Sequence, residues 1–221
     1  MNETLDFNKE YKEILDLNKK YTECRNNGRK INGNNFQIIS GDVPILLSAP
    51  HAVKTFRGND EKPCDKNTGG IVEYLCQKSH VYGITRIFND NDDPNYYNEG
   101  SSLEYKKAII ELINKADIKI MFDIHGCSDG HGFGIEIGTN HGGNLRNKQI
   151  AEIVSNAFSK VAVVSKDTLF KASLPENVSN YVHAHTNIDC IQIEICHSIR
   201  NNSQKLMEWI SVFSDLCQAV L

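Results

Sequence analysis

The segment IKIMFDIHG, residues 118–126, is the stretch from which the fold can be inferred. Its apolar residues fall on both faces of an extended chain, while Asp123 and His125 share one face because they are two residues apart. A strand that is apolar on both faces is typical of a sheet covered by helices on either side. The segment therefore predicts a central strand of an α/β protein.

Helical and extended patterns alternate along the rest of the chain, and no repeat or low-complexity linker divides it. Helices are predicted over 3–24, 68–78, 101–116, 145–159, 179–185 and 203–221. Strands are predicted over 36–40, 43–48, 83–88, 118–125, 132–138, 161–165 and 191–196. This alternation predicts a three-layer α/β/α fold with a mostly parallel or mixed central sheet. We expect one domain over residues 1–221, with a helical segment at 1–33 packed on it.

Two connecting segments have distinctive local patterns. Gly41-Asp42, between the first two strands, predicts a tight hairpin turn. The acidic segment NDNDDPNYYNEG, residues 89–100, does not match a calcium-binding EF-hand, because Pro94 and Asn95 stand where that loop needs a ligand and a glycine. We therefore expect residues 89–100 to be a solvated loop, with Ser101 or Ser102 as the N-cap of the next helix.

Composition and charge argue against several classes of protein. The formal net charge is −4 and there is no basic block, so attraction to nucleic acid or to an anionic membrane is not favoured. No apolar run approaches the roughly 20 residues needed to cross a bilayer, and the first 20 residues are too polar for a signal peptide. The seven cysteines lack CxxC spacing, which predicts free thiols. We expect a cytoplasmic protein with neither nucleic-acid nor membrane partners.

Polar side chains lie at the ends of three predicted strands, in positions that a core would normally exclude. They are His51 after the first strand, Asp123 and His125 on the second, and Gln192 and Glu194 on one face of the third. An unpaired charge in such a position is costly, whereas ligand sites in α/β folds gather where strands end. We therefore expect the three strand ends to converge on one site.

Two histidines and a carboxylate, with one coordination position left open, are the ligand set of a hydrolytic zinc site. His51 and His125 match the nitrogen ligands, and Asp123 is placed to orient His125. Zinc lowers the pKa of bound water toward about 7, while a separate carboxylate accepts its proton. The third ligand has several candidates in the loop after His51. They are Asp60, Glu61 and Asp65.

Five short strings together resemble the N-formylglutamate amidohydrolase family and occur in its order. They are SAPHAV (48–53), KPCDKNTGG (62–70), DIHG (123–126), GIEIGT (134–139) and QIEI (192–195), with Arg200 after the last. The resemblance spans about residues 36–200. It implies a zinc-carboxypeptidase-like α/β/α fold and hydrolysis of an amide with one metal ion. It also implies that His51, Asp65 and His125 bind the zinc ion. Glu61, in the same loop as Asp65, is the alternative carboxylate ligand.

Further roles follow from the same resemblance. Glu194 would be the general base, and Glu136, in the matching IEI string, is its rival for that role. Arg200 would grip a substrate carboxylate in a bidentate contact. Arg57, in the loop between the proposed ligands, is a second candidate anion contact. We expect Gln192, on the same strand face as Glu194, to support the site.

These observations predict a zinc-dependent amidohydrolase that acts on a small amide such as an N-formyl or N-acyl amino acid, similar to N-formylglutamate. One alternative is a carboxypeptidase-like or γ-glutamyl peptidase that uses the same metal site on a longer substrate. The other is a relative that binds metal or a small molecule without turnover. Iron, cobalt or manganese suit the same ligand types. The acyl group, the amino acid and the oligomeric state are not indicated by the sequence.

Overall fold

The computed structural model describes residues 7–220, so residues 1–6 and 221, at the ends of two predicted helices, lie outside the described part. The helices are α1 (Phe7–Asn26), α2 (Thr68–Ser79), α3 (Gly100–Ala116), α4 (Gln149–Phe158), α5 (Val178–Thr186), α6 (His197–Arg200) and α7 (Ser203–Ala219). The strands are β1 (Phe36–Ile39), β2 (Val43–Ala49), β3 (Thr55–Arg57), β4 (Asp60–Lys62), β5 (Val81–Arg86), β6 (Ile120–Cys127), β7 (Ile135–Gly138), β8 (Val164–Lys166) and β9 (Asp189–Cys196). Among residues 7–220, no helix combines the length and the apolar character needed to cross a membrane.

Seven strands form one mixed sheet in the order β1-β5-β2-β6-β9-β7-β8. The four central strands β5, β2, β6 and β9 are parallel to one another. β1 runs antiparallel to β5, β7 runs antiparallel to β9, and β8 is parallel to β7. The prediction of a mostly parallel or mixed sheet is confirmed.

Helices cover both faces of this sheet, as the apolar pattern of the strands predicts. Along β2, Ile45 and Leu47 pack into the core cluster on one face, whereas Leu46 packs into the cluster on the other. The first cluster contains side chains of α1, α2, α4 and α7, and the second contains side chains of α3 and α5. The fold is therefore the three-layer α/β/α arrangement that the sequence predicts.

The expected hairpin between the first two strands is wrong. β1 and β2 do not pair with each other, because β5 lies between them and bonds to both. β2 is buried on both faces and therefore takes a central place with parallel neighbours. Gly41 packs at the start of β5 instead of in a hairpin turn, since a Cβ at this position would come within 2.6 Å of the His80 and Val81 backbone.

Helix α1 packs on α2 and α7, which places the N-terminal segment against the helical layer of one sheet face. The contact is close because Gly69 and Gly70 lie at the start of α2. A Cβ on Gly69 would meet the ring of Tyr21 at 2.5 Å, and one on Gly70 would meet the Ile14 carbonyl oxygen at 2.4 Å. The two glycines of the KPCDKNTGG string thus fix the position of the helix that follows the proposed ligand Asp65.

Candidate metal centre and active site

The carboxyl ends of β2 and β6 bring His51, Asp65 and His125 together. One ligand atom from each of these residues lies within 4.8 Å of the others. His51 follows the last residue of β2 by two positions, and His125 lies in β6, the adjacent parallel strand. The expected convergence of strand ends therefore places the three predicted ligands in one cluster.

Asp65 reaches the cluster because its loop is tied to the backbone of both strands. Its backbone N–H donates to the His51 carbonyl oxygen at 2.8 Å, and its Oδ2 accepts the N–H of Gly126 at 3.0 Å. The alternative ligand Glu61 lies instead in the β3–β4 ribbon, where its exposed side chain pairs with Lys54. The geometry thus favours Asp65 over Glu61.

The distances from Asp65 to the two histidines are those expected between ligands of a tetrahedral metal. Asp65 Oδ2 lies 3.4 Å from His51 Nδ1 and 3.2 Å from His125 Nδ1. Bonds of about 2.0–2.1 Å to a tetrahedral zinc ion would place ligand atoms about 3.3 Å apart. Two imidazole nitrogens and one carboxylate oxygen also match the preference of zinc for mixed nitrogen and oxygen ligands. The residues present therefore fit a zinc ion.

The outer nitrogen of each histidine has its own carboxylate partner. His51 Nε2 lies 2.8 Å from Asp93 Oδ1, and His125 Nε2 lies 3.0 Å from Asp123 Oδ2. Such partners fix the ring orientation and keep the proton on Nε2, which leaves Nδ1 free to bind metal. The sequence indicated Asp123 for this role but not Asp93.

The expectation that residues 89–100 form a solvated loop is wrong at its centre. Asp93 is fully buried and accepts Arg57 Nε at 2.7 Å in addition to its contact with His51. The neighbouring Asp92 accepts the hydroxyls of Ser101 and Ser102 at 2.7 and 2.6 Å, so neither serine is the N-cap of α3. The acidic segment thus supports His51 in the His–Asp–His cluster.

Electrostatics in the cluster hold the acids ionised and the histidines basic. Burial lowers the pKa of His51, but the carboxylates of Asp93 and Asp65 outweigh it and raise the pKa to about 9. For His125, burial is likewise outweighed by Asp123 and Asp65, and its pKa is well above the ordinary value. Burial opposes ionisation of Asp65, yet the two histidines bring its pKa well below the usual range. Asp65 therefore stays ionised between the two histidines, and the ionised carboxylate is the form that binds a metal ion.

Glu194 lies opposite His125 in the β6–β9 register. It lines a cleft that is also lined by His51, Asp65 and His125. Its side chain is buried, and this burial raises its pKa to about 7 despite the opposing effect of His125. Gln192, two residues earlier on the same face, donates its Nε2 hydrogen to Glu194 Oε1 at 3.0 Å. The predicted base therefore has the environment of an acid–base group that works near neutral pH.

A chain of amide groups connects Glu194 to the start of helix α5. Asn177 caps this helix, because its Oδ1 accepts the N–H groups of Ser179 and Asn180. Its Nδ2 donates to Gln192 Oε1 at 2.7 Å, and this contact orients the Gln192 amide toward Glu194. The capping bonds therefore fix which group donates and which accepts in the hydrogen bonds that link Asn177, Gln192 and Glu194. Asn177 was not singled out in the sequence, because only the fold brings α5 against β9.

Glu136, the rival base, has a different role. It faces Glu194 across the β7–β9 pair, but its Oε1 accepts the backbone N–H groups of Thr168, Leu169 and Phe170 at 2.6–3.1 Å. This side chain is fully buried and does not line the cleft. The geometry thus favours Glu194 as the base.

Arg200 does not lie where a substrate clamp requires it. Its Nε and Nη2 donate to the carbonyl oxygens of Ile195 and Cys127 at 2.8 and 3.1 Å, and its Nη1 donates to that of Lys66. The side chain is buried against Gly126 and is absent from the cleft lining. The expectation that Arg200 grips a substrate is corrected: it holds backbone segments together.

Arg57, in contrast, lines the cleft that opens above the metal cluster. This cleft has a volume of about 520 Å³, a size typical of small-molecule sites. Lys62 and Lys171 also line it, so three cationic side chains share the cleft with Asp65 and Glu194. Arg57 lies over the ring of Tyr96, with 5.3 Å between its Cζ and the ring centroid. The arrangement suits a substrate with a negative group.

The chain is thus an α/β protein that has a His–Asp–His cluster, a ligand set suited to a metal ion, at the carboxyl ends of its strands. No protein-family model matches the chain, and no curated protein sequence matches it. Several solved structures do match it. N-formylglutamate amidohydrolase from Ralstonia eutropha JMP134 superimposes with a TM-score of 0.63 at 11% identity, over 84% of this chain and 96% of that one.

Two further structures give similar values. A gene product of Agrobacterium tumefaciens has a TM-score of 0.62 at 13% identity, over 85% of this chain and 94% of that one. A bacteriophage poly-gamma-glutamate hydrolase has a TM-score of 0.55 at 13% identity, over 85% and 90% of the two chains. The chain therefore has the fold of N-formylglutamate amidohydrolase, and the resemblance inferred from the five strings is confirmed at the level of the fold.

Proposed function

We propose that the protein is a zinc-dependent amidohydrolase that cleaves the amide bond of an N-formyl or N-acyl amino acid. The main support is the convergence of His51 Nδ1 and His125 Nδ1 on one oxygen of Asp65, with Glu194 in the same cleft. The similarity in fold to an N-formylglutamate amidohydrolase agrees with this proposal.

His51, Asp65 and His125 would hold the zinc ion, which when bound acts as a Lewis acid toward the amide carbonyl and lowers the pKa of water. Asp93 and Asp123 keep both Nε2 atoms protonated and both rings oriented. These two buried carboxylates also compensate the positive charge that the site would carry.

Glu194 transfers the proton. It accepts a proton from the attacking water and returns it to the leaving nitrogen, so one carboxylate serves as base and then as acid. A pKa of about 7 suits both steps, because neither protonation state is strongly disfavoured near neutral pH. Gln192 donates a hydrogen bond to Oε1 of Glu194, so Oε2 of Glu194 is the oxygen that takes up the proton.

Substrate orientation is assigned to the cationic side of the cleft. Arg57 and Lys62 lie on the β3–β4 ribbon, and Lys171 lies in the segment after β8. A carboxylate of the substrate would lie among these three side chains, with the scissile amide toward the metal cluster. Arg57 thus takes the role that the sequence assigned to two arginines.

Metal analysis and a substrate panel test this proposal. Protein purified without added metal should contain close to one zinc ion per chain, and the zinc-loaded enzyme should hydrolyse N-acylglutamates faster than dipeptides or γ-linked glutamate peptides. Faster cleavage of the γ-linked peptides would favour the γ-glutamyl peptidase instead. Full zinc occupancy without hydrolysis of any amide in the panel would favour a binding protein that lacks turnover.

Graded variants locate the metal. His51→Ala and His125→Ala should abolish zinc retention during dialysis, whereas Asp93→Asn should weaken zinc binding by about 10- to 100-fold, because it removes the carboxylate partner of His51 and leaves the three proposed ligands in place. His185→Ala is the matched control, since this histidine is exposed on α5 and away from the cluster. Zinc affinity that is unchanged in the first two variants would contradict the proposed site.

A further inference from the structure

Exposed apolar side chains are concentrated at the mouth of the cleft. Among residues 7–220, eight large hydrophobic side chains are exposed, and three of them line this cleft: Tyr96, Leu169 and Leu174. Leu169 and Leu174 are each more than half exposed, at 55% and 54%. Because isolated exposed leucines are common but clusters of them mark binding surfaces, this concentration indicates an apolar subsite.

The segment that carries both leucines, residues 168–174, is held in place along its whole length. We refer to it as the strap. Its first three N–H groups bond to the buried carboxylate of Glu136. Its later carbonyl groups accept hydrogen bonds from three asparagines: Asn140 N–H to Lys171 O, Asn144 Nδ2 to Ala172 O, and Asn180 Nδ2 to Ser173 O and Leu174 O. The exposure of the leucines is thus not the result of a loosely held loop.

The strap also contains backbone strain. Ala172 has a φ of +54°, a conformation that costs energy for any residue with a Cβ and that persists only where the surroundings impose it. A fixed, strained segment that presents leucines to a cleft is what a preorganised apolar binding surface requires, because the ligand pays no ordering cost for it.

Charge on the cleft lining specifies the rest of the ligand. Arg57, Lys62 and Lys171 line the same cleft, so an anionic group is favoured beside the apolar surface. A ligand with an apolar group and a carboxylate, joined through an amide, matches the apolar and the cationic side chains that line the same cleft as His51, Asp65 and His125.

We propose that the cleft takes an N-acyl amino acid whose acyl group is an apolar chain of several carbons, with Leu169 and Leu174 as the residues that determine this preference. This inference rests on the proposed amidohydrolase function for its reaction, but the apolar subsite itself is a property of binding. A formyl group would leave both leucines uncovered.

A series of substrates that differ only in acyl length tests the preference. N-formyl-, N-acetyl-, N-butyryl-, N-hexanoyl- and N-octanoylglutamate are compared on the zinc-loaded enzyme. We expect kcat/KM to rise by about fourfold for each methylene that is buried, and to level off where the chain leaves the cleft. The highest kcat/KM for N-formylglutamate, or equal values along the series, would overturn the proposal.

Variants identify the surface responsible. The double variant Leu169→Ser/Leu174→Ser should lower kcat/KM for N-hexanoylglutamate at least tenfold and change that for N-formylglutamate less than threefold. Ile153→Ser is the control, because Ile153 is 41% exposed on α4 and does not line the cleft. All of these side chains are exposed, so the substitutions leave the core intact. A dependence on chain length that survives in the double variant would overturn the assignment to the strap.

Binding measurements separate this inference from the proposed reaction. If the wild-type enzyme hydrolyses no member of the series, the proposed function fails, and the dissociation constants of the same compounds are measured by calorimetry on wild-type protein. Affinity that rises with acyl length, and does so less in the double variant, would retain the apolar subsite. Affinity that does not change with acyl length would reject it.

Discussion

Glu136 and Glu194 are two glutamates in matching IEI strings that face each other across β7 and β9, yet they do different work. Glu136 is surrounded on one oxygen by three backbone N–H groups of the strap. Glu194 receives one amide hydrogen from Gln192, lines the cleft, and has its pKa raised by burial to about 7. The difference lies in the number of donors that each carboxylate accepts.

Glu136 is a structural carboxylate, whereas Glu194 is the proposed reactive one. One oxygen of Glu136 accepts three backbone N–H groups of the strap, and this carboxylate does not line the cleft. A buried carboxylate with few donors stays basic enough to take a proton from water. Identical residues in similar strings thus acquire opposite roles, and each can be tested by removing its charge.

The largest effect is expected from Glu194→Gln. The variant keeps the shape of the side chain but cannot accept a proton, so kcat should fall by about 10³-fold. Its free energy of unfolding at pH 8 should not decrease, because the substitution removes a charge that burial disfavours. Steady-state kinetics and urea unfolding measure the two quantities. Retention of more than a tenth of the wild-type kcat would assign the base to another residue.

The reverse pattern is expected from Glu136→Gln. Three charge-assisted hydrogen bonds to the strap are lost or weakened, so the free energy of unfolding should fall by about 2–3 kcal/mol. Because the strap lines the cleft, KM should rise while kcat changes little. The same urea and kinetic measurements apply. An intact stability with a large loss of kcat would exchange the roles of the two glutamates.

The pH dependence of activity sharpens the comparison further. Glu194 must be ionised to act as a base, and it is protonated below its pKa of about 7. We therefore expect a limb in the pH profile at about pH 7. Below it kcat/KM should fall about tenfold per pH unit, and above it kcat/KM should level off. A rate profile from pH 5 to 9 shows the limb. The limb should persist in Glu136→Gln and disappear from the residual activity of Glu194→Gln.

The smallest effect is expected from Asn177, which acts on Glu194 through Gln192. Asn177→Ser keeps an acceptor for the helix cap but loses the donor to Gln192 Oε1, so kcat/KM should fall about fivefold, through kcat more than through KM. Asn177→Asp retains the cap and places an acceptor against Gln192 Oε1, so its loss should be larger. Circular dichroism controls for the helix. Equal and negligible losses in both variants would show that the amide chain does not act on Glu194.

The layers of the fold and most of the site could be predicted from the sequence, because both depend on local pattern. The strands around Phe122 and Ile193 are apolar on both faces, and their polar residues recur every second position. The placement of β5 between β1 and β2 could not be predicted, since pairing between distant strands depends on tertiary packing. The same holds for Asp93, whose burial against His51 arises only when β2 and the 89–100 segment meet.

Arg200 was predicted from its spacing after the QIEI string, but its role could not be, because the sequence does not say which way a side chain turns. A buried arginine that donates to carbonyl groups and one that faces a cleft have the same local pattern. A Cβ on Gly126 would meet the Arg200 guanidinium at 2.3 Å, which explains the glycine in the DIHG string.

The placement of Arg200 has a consequence for how the site tolerates change. The three carbonyl groups it binds belong to Lys66, next to Asp65, to Cys127, two residues after His125, and to Ile195, next to Glu194. One guanidinium group therefore holds the backbone next to two proposed metal ligands and the proposed base. A disturbance there would shift all three in a correlated manner, so metal retention and turnover would decline together instead of one at a time.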